Sequence, residues 1–433
     1  MSNPEPSVPT VLPRALRRFS WGVADQALSS LTNFALGLAV ARSVATEELG
    51  LYTLVISAIW TVLGVSRVFS TDPLVMRYST STHEQWRQAS RAATGTAAVV
   101  GIVCGIASAI VGWMIGGSIG ATLIVLAVTF PALLVQDAWR FAFFAQARGA
   151  QAFLNDLTWG VALLGLFAWV LTSGRTTVPW LVSAWGIAAG VAAFGGMIQA
   201  RLVPAPQLAR RWYRGNRDLS LPLLGESIAS YGSTSLSNFL IAAIAGASAL
   251  GAVRAASLLM GPTQVATMGI SLVAVPEGAR TLAASPDRLR RTGIAISTAA
   301  SVSVLIWGAM VFFLPADVGR LLVGESWDVA APLILPMAIS MAATAAAIGA
   351  RSTLAALHEA GHIARVRILG GFLQVGAVAV GAVWDGALGA MRALIVSETL
   401  TSGIWWRTAR KVLRKPRTEL SSQQTGPPDD HSR

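Results

Sequence analysis

His358, Glu359 and His362 stand in "LAALHEAGHIARVR" at the spacing H-E-x-x-H. On a continuous helix this spacing would put two imidazoles on one face with a glutamate beside them. That supplies two zinc ligands and a general base, the constellation for metal-assisted peptide hydrolysis. Three fixed letters in five are weak evidence by themselves. What the segment does depends on the elements that hold it.

Of the 433 residues, 54% are hydrophobic and 12% charged, and the mean hydropathy is +0.59. Soluble chains carry roughly 25% charged residues, so the composition predicts an all-α polytopic membrane protein. The net charge of +12 would suggest nucleic acid as a partner in a soluble protein. Here it is read by position, and no nucleic-acid partner is expected. The single cysteine, Cys104, lies in an apolar run and excludes an intramolecular disulfide or a cysteine-based metal site. Residues 1–19 begin with Pro4, Pro6, Pro9 and Pro13 and read as a flexible cytoplasmic N-terminus rather than a cleavable signal. Residues 409–433 read as a tail that is basic and then disordered.

The hydropathy pattern places twelve spans at about 20–42, 51–76, 92–115, 119–145, 153–172, 179–202, 219–246, 252–279, 292–314, 328–356, 366–383 and 386–408. Basic residues concentrate in alternate hinges: Arg14, Arg17 and Arg18; Arg77, Arg87 and Arg91; Arg148; Arg201 to Arg217; Arg280 to Arg291; Arg365 and Arg367; and the tail. The intervening hinges hold scattered arginines. This asymmetry predicts that both termini are cytoplasmic. Residues 20–202 form a first six-helix lobe, 203–218 a basic cytoplasmic linker, and 219–408 a second six-helix lobe.

The lobes repeat one another. Leu31, Asn33 and Phe34 return as Leu236, Asn238 and Phe239, Leu49 and Gly50 as Leu250 and Gly251, and Pro73 and Arg77 as Pro276 and Arg280. "WRFAFFAQARGAQAFLNDLTWG" lies over "ARSTLAALHEAGHIARVRILGG", pairing Arg140 with Arg351 and Gly160 with Gly371. Two such lobes would be related by an axis along the membrane normal. In this register His358 and His362 fall opposite Ala147 and Gln151, which have no metal-ligand character. The segment is then a turn after the tenth span, with Gly361 favouring chain reversal. Intramembrane metalloproteases, which the H-E-x-x-H fragment resembles, draw a third ligand from an Asp-Gly in a later span. Asp385 in "VWDG" would be the candidate, but the topology sets it across a membrane of roughly 30 Å, whereas zinc ligands lie about 2 Å from the metal. No metal, cofactor or catalytic residue is expected.

The first span carries Gly22, Asp25, Ser29, Thr32, Asn33 and Gly37 at intervals of three and four, and the seventh carries Glu226, Ser230, Ser233, Thr234 and Ser237. In lipid such stripes turn toward partner helices or a water-filled cavity. They are either interhelical contacts or, as their repetition favours, the walls of a central cavity that includes Asn33 and Asn238. Charges also lie within spans: Arg67 and Asp72, Asp137 and Arg140, Arg254, Arg351 and Arg392. Asp137 and Arg140 are spaced i, i+3 and could satisfy one another. Arg67, Arg140 and Arg351, near the inner mouth with Asp25 and Glu226, suit a phosphate or diphosphate. No Walker sequence occurs, so transport would draw on an ion gradient, substrate flux or a partner. Asp25, with Glu226, is the candidate for proton or sodium coupling.

The stretch "WGVADQALSSLTNFALGLAVARSVATEELGLYTLVISAIW" with "GVSRVFSTDPLVMRYS" resembles the first two spans of polysaccharide flippases of the multidrug, oligosaccharidyl-lipid and polysaccharide exporter superfamily. "SLSNFLIAAIAGASALGAVRAASLLMGPTQV" resembles their seventh and eighth. The resemblance implies two lobes around a central cavity, alternating access, and a lipid-linked oligosaccharide carried from the inner to the outer leaflet of the cell membrane. Polysaccharide assembly enzymes would be its partners alongside the lipid bilayer. Twelve spans speak for this branch and against the fourteen-span lipid II flippases. The runner-up is a cation-coupled multidrug or small-molecule antiporter of the same fold, whose pocket would favour acids and aromatics. A zinc metalloprotease is a remote third.

Overall fold

The computed structural model describes residues 11–267, 269–270, 286–357 and 359–414. His358, Pro276 and Arg280 lie outside these residues. Every regular element among those described is helical.

The chain begins with α1 (Val11–Ser43), α2 (Thr46–Phe69) and α3 (Thr71–Tyr78). The expected second span is therefore two helices. Ser70 leaves helical geometry at φ −114°, ψ −67°, with its hydroxyl bonded back to the Ser66 carbonyl, a local bond that competes with the helix ladder. Next come α4 (His83–Ile115), opened by a capping box between Thr82 and Gln85, and α5 (Gly117–Ala145). They form an antiparallel hairpin. Gly116 (φ +67°) and Gly117 (φ +62°) make its turn in a region of backbone space that side chains disfavour. Small residues bring the two backbones together: a Cβ on Gly112 would meet the Gly120 carbonyl at 2.7 Å, and one on Gly105 the Ala127 carbonyl at 2.5 Å.

α6 (Gly149–Thr172) and α7 (Val178–Ala200) complete the first half of the chain. Leu74, Trp86, Trp139, Phe143 and Trp212 share a buried cluster there. The Trp86 indole N–H donates to the Ala142 carbonyl at 2.8 Å.

The stretch expected as a linker is largely structured. α8 (Ala209–Ser227) runs through a π turn at Ile228–Gly232 into α9 (Ser233–Ala245), so the seventh span begins ten residues earlier than its apolar run suggests. α10 (Ala247–Leu259) follows. The repeat-matched glycines meet here. A Cβ on Gly50 would strike the Ala247 carbonyl, and one on Gly251 the Thr46 carbonyl, each four residues before the opposite glycine.

The remaining helices are α11 (Pro286–Phe312), α12 (Ala316–Val323), α13 (Trp327–Ala345), α14 (Ile348–Ala356) and α15 (Ala360–Leu413). α15 holds the expected eleventh and twelfth spans, broken where Gly386 takes φ +55°. The tenth span is likewise divided, between Ala345 and Ile348.

Among the described residues, nine helical stretches are long and apolar enough to cross a membrane. The last of them contains two expected spans, and the tally leaves out α1. The fold is a polytopic helical membrane fold with two compact units. One comprises the described residues up to Leu258 together with Leu314–Ala331, and the other Leu259–Phe313 with the residues from Pro332 onward.

Candidate functional site

Within the first unit, α1, α2, α5 and α6 each turn a charged side chain inward. Arg67 of α2 donates to both carboxylate oxygens of Asp137 on α5, Nε at 2.8 Å and Nη2 at 2.7 Å. Arg140, one turn further along α5, reaches Asp25 of α1 through Nε at 2.9 Å and Nη2 at 2.5 Å, and lies 3.1 Å from Asp156 of α6. The local pairing of Asp137 with Arg140 suggested by their spacing does not form. Each finds its partner on another helix, Arg67 and Asp137 as a bidentate fork.

A relay of amides continues from the carboxylates. Gln136 donates to Asp156 at 3.1 Å and to Asn155 at 3.3 Å, and Asn155 donates to the Ala192 carbonyl of α7 at 2.8 Å. Asp25 is fully buried, and its Oδ1 has no hydrogen-bond partner among the described residues.

These groups border one open pocket. Ser29, Asn33, Arg67, Gln136, Asp137, Arg140 and Asp156 supply its polar wall; Trp60, Trp159 and Trp185, with Leu63 and Leu133, supply its apolar wall. Trp159 and Trp185 meet edge to face, centroids 5.7 Å apart. Arg67 stacks 4.9 Å over the Phe141 ring. The Nη1 end of each guanidinium meets no protein acceptor among the described residues.

The site residues named from the sequence divide as follows. Asn33, Arg67 and Arg140 line this one cavity, and Asp25 stands behind Arg140. Asn238 on α9 instead donates to the Ser57 hydroxyl of α2 at 2.9 Å, beside a bond from Ser235 to the Ser57 carbonyl at 2.8 Å. That seam is the interhelical contact that polar stripes in lipid can also serve. Glu226 is half-buried on α8. Arg351 on α14 belongs to the second unit, where it feels the charges of Glu398 and Arg367. Glu398 accepts from the Thr344 hydroxyl at 2.9 Å.

Two carboxylates escaped the sequence reading. Asp156 lies close to a hinge and so resembles a boundary residue, yet it is 3% exposed. Glu398 stands between Ser397 and Thr399 in a span otherwise read as apolar.

The H-E-x-x-H segment does not form a continuous helix. α14 stops at Ala356 and α15 starts at Ala360, and the Glu359 amide donates to the Leu354 carbonyl at 3.0 Å. Gly361 is already inside α15, so the reversal is made before it. Glu359 and His362 bond one another at 2.8 Å. Asp385 pairs with Arg392 at 2.9 Å at the break in α15. Among the described residues, no group of three His, Cys, Asp or Glu is placed to hold a metal.

No family model matches the chain, and no curated protein does. Solved structures do. A multidrug resistance transporter of the MATE family of the MOP superfamily, in an inward-facing conformation, is similar with a TM-score of 0.71 over 92% of this chain and 96% of its own, at 13% identity. The lipid II flippase MurJ, in an inward closed conformation, is similar with a TM-score of 0.71 over 93% of this chain and 89% of its own, at 9% identity. The fold is that of the MOP-superfamily transporters. A MOP transporter from Pyrococcus furiosus, described as having a binding pocket of reversed polarity, is also similar, with a TM-score of 0.57 over 95% and 96% of the two chains at 14% identity. A multidrug resistance transporter and a lipid II flippase thus share the fold found here, and twelve spans do not separate the chain in fold from the latter.

Proposed function

We propose that this MOP-fold protein is a flippase of the cell membrane that moves a polyprenyl-diphosphate-linked oligosaccharide from the inner to the outer leaflet by alternating access, its termini cytoplasmic. The cavity of the first unit carries this reading. Its lining pairs two arginines with two aspartates and adds an asparagine, a glutamine, a serine and three tryptophans. Sugar hydroxyls both donate and accept, so they need carboxylate or amide oxygens and guanidinium or amide N–H groups side by side. Indole faces offer flat apolar area to the C–H faces of a sugar ring. In this proposal the glycan occupies the cavity, and the Nη1 ends of Arg67 and Arg140 meet the diphosphate; Arg351, in the second unit, is a separate substrate-binding candidate. Asp25 takes up the coupling proton or sodium ion. Neutralising it would free Arg140 from one of its two carboxylates and so link ion binding to the cavity wall. Glu226 is a second coupling candidate, and polysaccharide assembly enzymes are proposed as partners.

One observation favours the runner-up. With Asp25 included, three carboxylates face two arginines, so acids outnumber cations at this site. A cation-coupled antiporter for aromatic cations would use the same acids and indoles. Calorimetric titration of the purified protein separates the two. The flippase reading expects the lipid-linked oligosaccharide to bind and a planar aromatic cation not to, with Asp156→Asn weakening the former about tenfold, the loss of one charged hydrogen bond. Tight binding of the cation alone transfers the site to the antiporter.

A further inference from the structure

α8 has two faces of opposite character. At about 100° per residue, Arg210, Arg214 and Arg217 fall within about 60° of one another, with Arg211 beside them. All four are exposed. The opposite face is buried through Trp212, Asn216 and Ser220. It is bolted to the end of the second span: the Trp212 indole N–H donates to the Phe69 carbonyl at 3.1 Å, Ser220 donates to the Val68 carbonyl at 2.9 Å, and Tyr78 packs on Trp212 with centroids 5.5 Å apart. Arg77 closes the clasp, donating to the Gly215 carbonyl at 2.7 Å, to Asn216 Oδ1 at 3.1 Å and to Asp218. Asp218, the acid nearest the stripe in sequence, is thereby engaged. None of the four stripe arginines makes an ion pair among the described residues.

Length places this stripe relative to lipid. The helical run Pro206–Ala245 has 40 residues, about 60 Å at 1.5 Å per residue, against a hydrocarbon thickness of about 30 Å. Its apolar part is the C-terminal one, so the arginine end emerges into the headgroup layer and beyond. Retention of basic residues on one side of the membrane explains arginines in this hinge. It does not require them to share a face of a helix whose other face is locked.

We infer that the Arg210–Arg211–Arg214–Arg217 face of α8 is a docking surface for the phosphate headgroups of anionic membrane lipids. A juxtamembrane cluster of four cations meets such headgroups with about 1 kcal/mol per residue, close to fivefold each. The clasp to Phe69 and Arg77 fixes the stripe in place, so no helix ordering opposes binding. This surface is independent of the transported substrate. Because α8 is joined to the end of α2, which carries Arg67, lipid charge acts at one end of a helix whose other contacts border the cavity.

The test uses the full-length protein reconstituted in phosphatidylcholine nanodiscs containing a minority of phosphatidylglycerol, with retained lipid counted by native mass spectrometry. The wild-type protein should retain phosphatidylglycerol selectively. Changing all four arginines to Gln should lower that retention at least tenfold, a conservative figure against roughly fivefold per arginine. Changing Arg290, Arg291, Arg410 and Arg414 to Gln, four exposed arginines at other span ends, removes the same charge but leaves the α8 stripe whole and should lower it clearly less than the α8 change does. Changing the four α8 arginines to Lys keeps the charge and should preserve most of the retention. Wild-type retention in the α8 Gln variant, equal loss in both Gln variants, or full loss in a folded Lys variant would each overturn the inference.

Discussion

Arg67 and Asp137 show how a single intramembrane charge is tolerated. The pair is bidentate and mostly shielded, with side chains 18% and 10% exposed. Removing one partner of such a pair strands the other, which costs about 3 kcal/mol at the low end for buried pairs. Arg67→Gln should therefore lower thermal stability markedly in detergent. Arg67→Gln with Asp137→Asn, which leaves no stranded charge, should recover to within about 1 kcal/mol of wild type. Equal destabilisation of the single and double variants would show that the pair is not what holds these groups in place. This double variant is also the cleaner probe of substrate binding, since the single change mixes lost contact with lost fold. Arg67, Arg140, Asp25 and Asn33 were legible from sequence because a charge or amide inside an apolar span is conspicuous. Their partners were not, because Asp137 is three residues from Arg140 yet bonds Arg67, and Asp156 sits on a helix whose facing cannot be read from spacing alone. Asn238 shows the converse: a repeat match locates an asparagine without saying whether it lines a cavity or joins two helices.

The turns after α5 and after α14 share two backbone bonds. Arg148 N–H donates to the Phe143 carbonyl at 2.9 Å as Glu359 N–H does to that of Leu354, and Gln151 N–H to the Arg148 carbonyl at 2.9 Å as His362 N–H does to that of Glu359. Each pair of residues is 211 positions apart, the offset that the sequence repeat gives. The helices also end at Ala145 and Ala356 and restart at Gly149 and Ala360 at the same offset. The histidine motif occupies the place where the first half has a plain turn. Replacing His358 and His362 together by Ala should leave transport within about threefold of wild type, as expected of a turn with no ligand role. Metal analysis of purified protein should find no stoichiometric zinc; zinc that disappears in the double variant would contradict this. Element ends were harder to read than the repeat. Ser70 and the π turn at Ile228–Gly232 interrupt or extend spans without a marked change in hydropathy, so an apolar window passes over them, whereas the break at Asp385–Gly386 falls at the boundary that the sequence places between 383 and 386.

At the scale of the molecule, the repeat and the contacts partition the chain differently. The repeat divides it between 20–202 and 219–408, whereas α8, α9, α10 and Leu314–Ala331 cluster with the first half. The meeting of Gly50 and Gly251 explains part of this: equivalent hinges of the two repeats touch each other inside one unit. The proposed sidedness is tested by thiol labelling in a Cys104→Ala background. A cysteine at Ser173, which is exposed, should react with an impermeant reagent from outside. Asn216 is only 3% exposed and would report burial, so Arg214, two residues away on α8's exposed face, is the partner position and should react only in opened membranes. Outside labelling at Arg214 would invert the topology.

Transport itself is the most direct measurement. Proteoliposomes loaded with a polyprenyl-diphosphate oligosaccharide in one leaflet report its arrival in the other through cleavage by an added glycosidase. The flippase account predicts arrival well above that in protein-free vesicles. Arg67→Gln with Asp137→Asn should slow it about tenfold, as for one charged hydrogen bond to the diphosphate, with no movement of an aromatic cation under the same gradient. Arrival no faster than in protein-free vesicles, with gradient-driven movement of the cation, would contradict the flippase and leave the MOP fold to the antiporter.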